Sequence, residues 1–311
     1  MGFDDISYNF SIAKVLSIFM VATGHYFGGI LWIPTSFALF IFAFSSGFFT
    51  SRKYQHPFSK KKFWYAKIVR MCYPILIIDI FLFFFFLLQQ KSGIFSWQTL
   101  PSMIGINGFL TWFNLANPSP FGAGLWFFTL LLLFYFFYPL LSLFNKKHPI
   151  AIAFLLASLL VTTILHYMMP MGHMLWMAAF AFILGNYSGV HGCDISPWIC
   201  VFLTTISCLL LLSLNTVIDY NQLNDILIIV ACISIIGYLL NKRLPNFIIN
   251  KLLLLSGCVI QIYFIHTYLF VKLITKQPII NYLISMFVII TIAFLLSKIS
   301  DKLSSLNVRK V

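Results

Sequence analysis

Glutamate is absent from this 311-residue chain, and seven aspartates are its whole acidic complement. Charged residues of either sign make up only 9% of it, where a soluble domain carries about a quarter. That scarcity excludes an ordinary water-facing surface. No CxxC pair occurs among Cys72, Cys193, Cys200, Cys208, Cys232 and Cys258, and five of the six fall in or beside apolar runs. A zinc ribbon or disulfide framework is therefore not expected, and free buried thiols are. No Lys or Arg precedes Lys14, although Asp4 and Asp5 do. Without a basic n-region or a small-residue cleavage site, the first apolar run is expected to remain as an uncleaved span.

What is present is hydrophobic: 61% of residues, with 18% aromatic. The apolar residues come in blocks such as Ile75–Leu88, Leu125–Phe144 and Ile279–Leu296. Blocks of about 20 residues match the hydrocarbon thickness of a bilayer at helical rise. The expected fold class is all-α, a polytopic transmembrane helix bundle. Its spans are read over 10–30, 34–50, 71–88, 125–144, 150–168, 173–187, 197–214, 224–241, 252–272 and 279–297, the sixth being short. Residues 1–311 are read as one membrane domain, with no repeat and no appended soluble domain.

The net charge of +13 is distributed unevenly. With the N-terminus placed inside, sixteen of the 20 cationic residues fall on one side: Arg52, Lys53, Lys60, Lys61, Lys62, Lys67 and Arg70, then Lys146 and Lys147, then Lys242, Arg243 and Lys251, then Lys298, Lys302, Arg309 and Lys310. Lys91 and Lys276 fall opposite, with Lys272 near that face and Lys14 inside the first span. The asymmetry satisfies the positive-inside rule and expects both termini to be cytoplasmic. It also explains the basic balance without a nucleic-acid partner, since the cations sit in connections between spans. The longest outward connection, 89–124, holds Pro101, Pro118, Pro120, Trp97 and Trp112, and reads as an interfacial loop or a lid.

Ionisable residues inside spans are costly and mark candidate functional positions. Lys14 and His25 share the first span, eleven residues apart. Ideal helix geometry puts them about 20° apart around the axis and about 16 Å apart along it. One reading is a snorkelling lysine with an interfacial histidine; the other is a functional pair facing the bundle. Asp79 is read as the only carboxylate well inside a span; Arg70, nine residues earlier, reaches it only if the helix bends, so a partner on another span is expected. His166 and His173 read as interfacial around an outer turn. With His56, His148 and His191 they show no metal-ligand spacing, so no metal is expected.

Five segments, in order, resemble the acyltransferase 3 family. They are Ser11 to His25 (SIAKVLSIFMVATGH), Phe40 to Phe48 (FIFAFSSGF), Lys67 to Pro74 (KIVRMCYP), Leu125-Trp126-Phe127-Phe128 running to Tyr138-Pro139, and Leu255-Ser256-Gly257 running to Gln261 and on to His266 (QIYFIH). The family opens its first span with a basic residue, usually Arg, then ten residues, then His; here Lys14 takes the basic place, as in the branch resembling sugar O-acetylases. Lys67 likewise stands at the first basic position of the family's RxxRIxP element. Both departures lose the planar fork that pairs bidentately with phosphate or carboxylate.

The resemblance implies an O-acyltransferase of a bacterial cytoplasmic (inner) membrane, moving acetyl from cytoplasmic acetyl-CoA to a hydroxyl of a cell-surface polysaccharide, lipopolysaccharide or lipid-linked sugar. It implies His25 and Lys14 as catalytic residues, His25 acting as general base. Because such a donor carries phosphates, Lys67 and Arg70, with Lys14 approaching from the first span, are read as anion-binding. Topology signalling and lipid headgroup contact is the other reading of Lys67 and Arg70, and the better one for Lys60, Lys61 and Lys62. Tyr263 and His266, three apart on one helix face, either support His25 and a developing oxyanion or belong to an interface belt. Trp126 reads as belt placement, and Ser46-Gly47 as a point of close helix approach. Acyl-CoA, membrane lipid and a glycan or lipid-linked sugar are the implied partners. The competing reading is a transporter or flippase whose path is lined by Lys14 and His25.

Overall fold

The computed structural model describes residues 2–55, 57–169, 174–217, 222–245, 250–272, 274 and 276–308. His56, His173, Arg309 and Lys310 lie outside the described residues, as does the side chain of Lys251. In chain order the helices are α1 (Phe3–Phe27), a 3-10 turn (Gly29–Leu31), α2 (Trp32–Lys53), α3 (Lys60–Leu88), α4 (Thr99–Met103), α5 (Gly108–Trp112), α6 (Trp126–Phe144), α7 (His148–Met168), α8 (Leu175–His191), α9 (Pro197–Val217), α10 (Gln222–Asn241), α11 (Asn250–Ser256), α12 (Val259–Ile265), a 3-10 turn (His266–Tyr268) and α13 (Pro278–Val308). No strand occurs among the described residues.

Eight helices are long and apolar enough to cross a membrane among those described: α1, α2, α3, α6, α7, α9, α10 and α13. Their outward surfaces suit lipid, with Phe84 60% exposed on α3 and Phe202 62% exposed on α9. Two of the ten expected spans differ from this pattern. The sixth is α8, at 17 residues. The ninth is broken after Ser256 into α11 and α12, and Gly257 at the break accepts a hydrogen bond on its carbonyl from Ser297 Oγ at 3.1 Å. The third begins at Lys60 rather than at 71, because Ser59 caps it by accepting from the Lys62 N–H at 3.3 Å.

The chain divides into two compact units, each assembled from separated stretches: residues 1–56 with 140–256, and 57–139 with 257–311. In the first unit α2 and α8 make the closest approach. An added Cβ at Gly47 would meet the Phe182 carbonyl oxygen, one at Gly185 the Phe44 carbonyl, and one at Gly189 the Ser51 hydroxyl. Gly185 and Gly189 thus form a GxxxG seam against Gly47 and its neighbours, which lets two backbones touch where lipid offers no hydrophobic drive. Phe10 of α1 stacks on Phe44 at 5.8 Å and Phe48 at 6.0 Å.

Polar contacts fix which ends coincide. Asn9 of α1, fully buried, donates from Nδ2 to the carbonyls of Leu239 (2.7 Å) and Lys242 (2.8 Å), while its Oδ1 accepts from the Leu244 N–H (3.0 Å). It thereby satisfies carbonyls that the end of α10 leaves without helical partners. Asp5 pairs with Arg243 at 3.0 Å. Tyr187, near the end of α8, meets His148 at the start of α7 with Oη and Nε2 3.1 Å apart. The start of α1 and the ends of α2, α8 and α10 therefore lie with the start of α7. The end of α1, carrying His25, shares the opposite end of this unit with the end of α7 and the start of α10.

In the second unit α3 packs on α12 and α13. The connection 89–124 is not a free lid. Thr129 of α6 donates from Oγ1 to the Gly105 carbonyl (2.8 Å) and accepts from the Gly108 N–H (2.9 Å). Asn107 donates to the Gly122 carbonyl, and Thr99 meets Ser119 hydroxyl to hydroxyl at 2.8 Å. The loop is stitched to the first turns of α6.

Candidate active site

Lys14 and His25 lie on one unbroken helix, α1. The stripe between them carries Ile18 and Val21, 0% and 1% exposed, so its middle is packed protein. Ser17, beside that stripe, is 1% exposed and its hydroxyl has no partner among the described residues. Lys14 Nζ stands 4.9 Å from the centre of the Phe49 ring, a cation–π contact that holds the ammonium towards the α2 C-terminal half. His25 is in the last turn of α1 and exposed, followed by Gly28 at φ 68°, which ends the helix and lets the chain turn back into α2.

Lys67 and Arg70 belong to the second unit and sit a turn apart on α3. Lys67 Nζ is 3.7 Å from the centre of the Tyr135 ring and 5.7 Å from that of Phe63. Arg70 is exposed and makes no hydrogen bond, ion pair or ring contact among the described residues. Of the two, Arg70 is the guanidinium open to an anion; Lys67 already rests on aromatic faces.

Tyr263 and His266 are both buried. Tyr263 donates to the Gly124 carbonyl at 2.8 Å. His266 Nδ1 lies 2.8 Å from the Tyr263 carbonyl. A carbonyl only accepts, so Nδ1 is the donor. Burial of His266 removes it from an interface belt. Trp126 is half-buried at the start of α6, edge-on to Phe127 at 5.9 Å. Among the described residues no three His, Cys or Asp side chains converge as metal ligands.

The model of the acyltransferase 3 family, described as an acyltransferase domain, matches residues 7–298. The chain belongs to the acyltransferase 3 family. No curated protein and no solved structure matches it. Within this acyltransferase, the matched stretch holds every candidate residue from Lys14 to His266.

Three features escape a reading of the sequence. Tyr268 accepts on its hydroxyl from the Ala123 N–H at 2.8 Å, a contact between positions 145 apart that no local pattern announces. Asp79 is corrected: it is buried, and no hydrogen bond or ion pair reaches it among the described residues. His166 is corrected too. It is not merely interfacial, because its Nε2 lies 3.3 Å from Asp225 Oδ2, and the Asp225 side chain is only 3% exposed. Asp225 in the first turn of α10 is thus a second buried carboxylate beside Asp79, hidden in the sequence by its place at a span edge.

Proposed function

We propose that this acyltransferase moves acetyl from acetyl-CoA to a hydroxyl of a cell-surface polysaccharide, lipopolysaccharide or lipid-linked sugar, with His25 as the general base. The observation that carries the reading is Lys14 and His25 on one face of an unbroken α1, in a chain of this family. Neutral imidazole takes the acceptor hydroxyl's proton as the oxygen attacks the thioester carbonyl. The new C–O bond forms, the C–S bond breaks, and the CoA thiolate takes the proton back from the imidazolium. Arg70, with Lys67 beside it, pairs with donor phosphates through charge-assisted hydrogen bonds. Lys14 supplies a further positive charge on the helix that carries His25. The donor side is the cytoplasmic face of a bacterial inner membrane.

The break between α11 and α12 favours the transporter reading, since interrupted helices mark binding sites in many transporters. One experiment separates the two: acetylation of surface glycan in cells lacking this chain, expressing it, or expressing His25→Ala or Lys14→Ala at equal abundance. The enzyme reading expects acetylation with the natural chain and a loss of at least a hundredfold with His25→Ala. Full acetylation by His25→Ala removes His25 from catalysis. Glycan normally acetylated but retained inside the cell supports the transporter.

A further inference from the structure

Asp225 gathers polar groups from two helices at one oxygen. His166 Nε2 lies 3.3 Å from Asp225 Oδ2, and Tyr167 donates its hydroxyl to the same oxygen at 3.3 Å. The three line a cavity of about 50 Å³ together with Thr162, Met177 and Phe180. Next to Asp225, Asn224 is fully buried and its amide nitrogen has no partner among the described residues. On α7, Ser158, Thr162 and His166 recur every four residues, a polar stripe on a mostly apolar helix. Burying an ionisable pair of this kind adds little stability after desolvation, and packed apolar side chains would serve a fold at least as well. In a span, such a group marks function by default.

The ends that coincide in the first unit decide what the function is. His166 closes α7 and Asp225 opens α10, at the same end of that unit as His25. We infer that this cavity is a subsite for the acyl acceptor, taking one neutral hydroxymethyl group or hydroxyl-bearing edge of a glycan; the inference rests on the acyltransferase reading above. The chemistry fits a hydroxyl group. Asp225 accepts its proton in a hydrogen bond, and the Tyr167 hydroxyl stands at the same carboxylate oxygen. Met177 and Phe180 give the apolar wall that a sugar's C–H face needs. The volume holds one such group and not a whole ring. The Asp225 carboxylate repels phosphate, so the recognised edge is neutral and any phosphate of a lipid-linked acceptor lies elsewhere.

The test uses membranes containing the full chain, radiolabelled acetyl-CoA, and unacetylated glycan purified from cells lacking the chain. Michaelis constants for glycan and for acetyl-CoA are measured separately for the natural chain, Asp225→Asn, His166→Gln and Tyr167→Phe. Asp225→Asn is expected to raise the glycan constant about tenfold or more, the size of one lost charge-assisted hydrogen bond. Tyr167→Phe, which keeps its ring and removes only the hydroxyl, is expected to raise it about threefold. The acetyl-CoA constant should not move in either. Unchanged glycan constants in all three variants mean a cavity that holds only water, and overturn the subsite. Equal losses in both constants with a lower unfolding temperature mean a structural lock, and overturn it as well. Absence of transfer by the natural chain sinks the acyltransferase reading itself, and the subsite with it.

Discussion

Tyr263 donates its hydroxyl to the carbonyl oxygen of Gly124 at 2.8 Å, tying α12 to the turn that leads into α6. Around that bond the Tyr263 ring stands 6.4 Å from Phe127, and Phe128 meets Phe264 edge-on at 4.9 Å. Two of the five segments that resemble the family are therefore packed on each other within the second unit. The Tyr263 hydroxyl is engaged in holding a backbone, which gives it a positioning role.

Tyr263→Phe removes that bond and leaves the Gly124 carbonyl without its donor. A loss of about 1–2 kcal/mol of stability is expected, read as a lower unfolding temperature in detergent, with acetyl transfer reduced less than tenfold. A hundredfold fall in transfer at an unchanged unfolding temperature would instead put the hydroxyl in the chemistry.

The GxxxG seam predicts a contrast between two glycines. Gly47→Ala forces a methyl group against the Phe182 carbonyl and must push α2 from α8, at a cost of about 1–3 kcal/mol. Gly257→Ala meets nothing within 4 Å and is expected to leave the unfolding temperature within experimental error. Equal behaviour of the two would mean the seam is not tight. The comparison requires only thermal unfolding of the two purified variants.

Asn9→Ala strips three hydrogen bonds from the end of α10 at once. Two carbonyls and one N–H are left without that partner, and about 2–4 kcal/mol of stability goes with them. Hydrogen exchange at the last turn of α10 should rise before that of α2. Uniform acceleration across the first unit would show that Asn9 does not act locally.

Legibility in the sequence followed range of interaction. Long apolar runs announce helices one segment at a time, because satisfying backbone groups in lipid is a local affair. Charge counting yields an expected polarity connection by connection. The break at Gly257 was not legible: its apolar content reads as a continuous span, and only a partner such as Ser297, 40 residues on, accompanies it. The start of α3 was misplaced because Lys60 to Lys62 look like a loop until the Ser59 cap is seen. That Lys14 and His25 share one helix was legible through their spacing. His166 with Asp225, and Tyr268 with Ala123, join positions 59 and 145 apart and carry no joint signature.

The contrast between Lys67 and Arg70 predicts unequal donor effects. Arg70 is open, whereas the Lys67 ammonium rests 3.7 Å from the Tyr135 ring centre. Arg70→Ala is expected to raise the Michaelis constant for acetyl-CoA about tenfold, and Lys67→Ala about threefold. Lys62→Ala serves as the exposed comparison and should leave it unchanged. Equal effects at all three positions would indicate a diffuse field in place of a phosphate contact.

Cys193 offers a direct reading of polarity. It lies in the connection between α8 and α9, and its carbonyl accepts from Asn241 Nδ2 at 3.1 Å, which places it at the end of the unit that bears Lys242 and Arg243. Burial raises the pKa of its thiol above the usual value, with Cys200 and Asp194 adding to the effect. Thiolate is the reactive form, so a raised pKa leaves less of it at pH 8. In a chain whose other five cysteines are replaced by serine or alanine, alkylation of Cys193 should be slower than that of a free thiol. It should go on rising about tenfold per pH unit above the range where a free thiol has levelled off. A membrane-impermeant maleimide should reach it only from the face that carries Lys146 and Lys147. Labelling from the opposite face would invert the topology and with it the side proposed for the acyl donor.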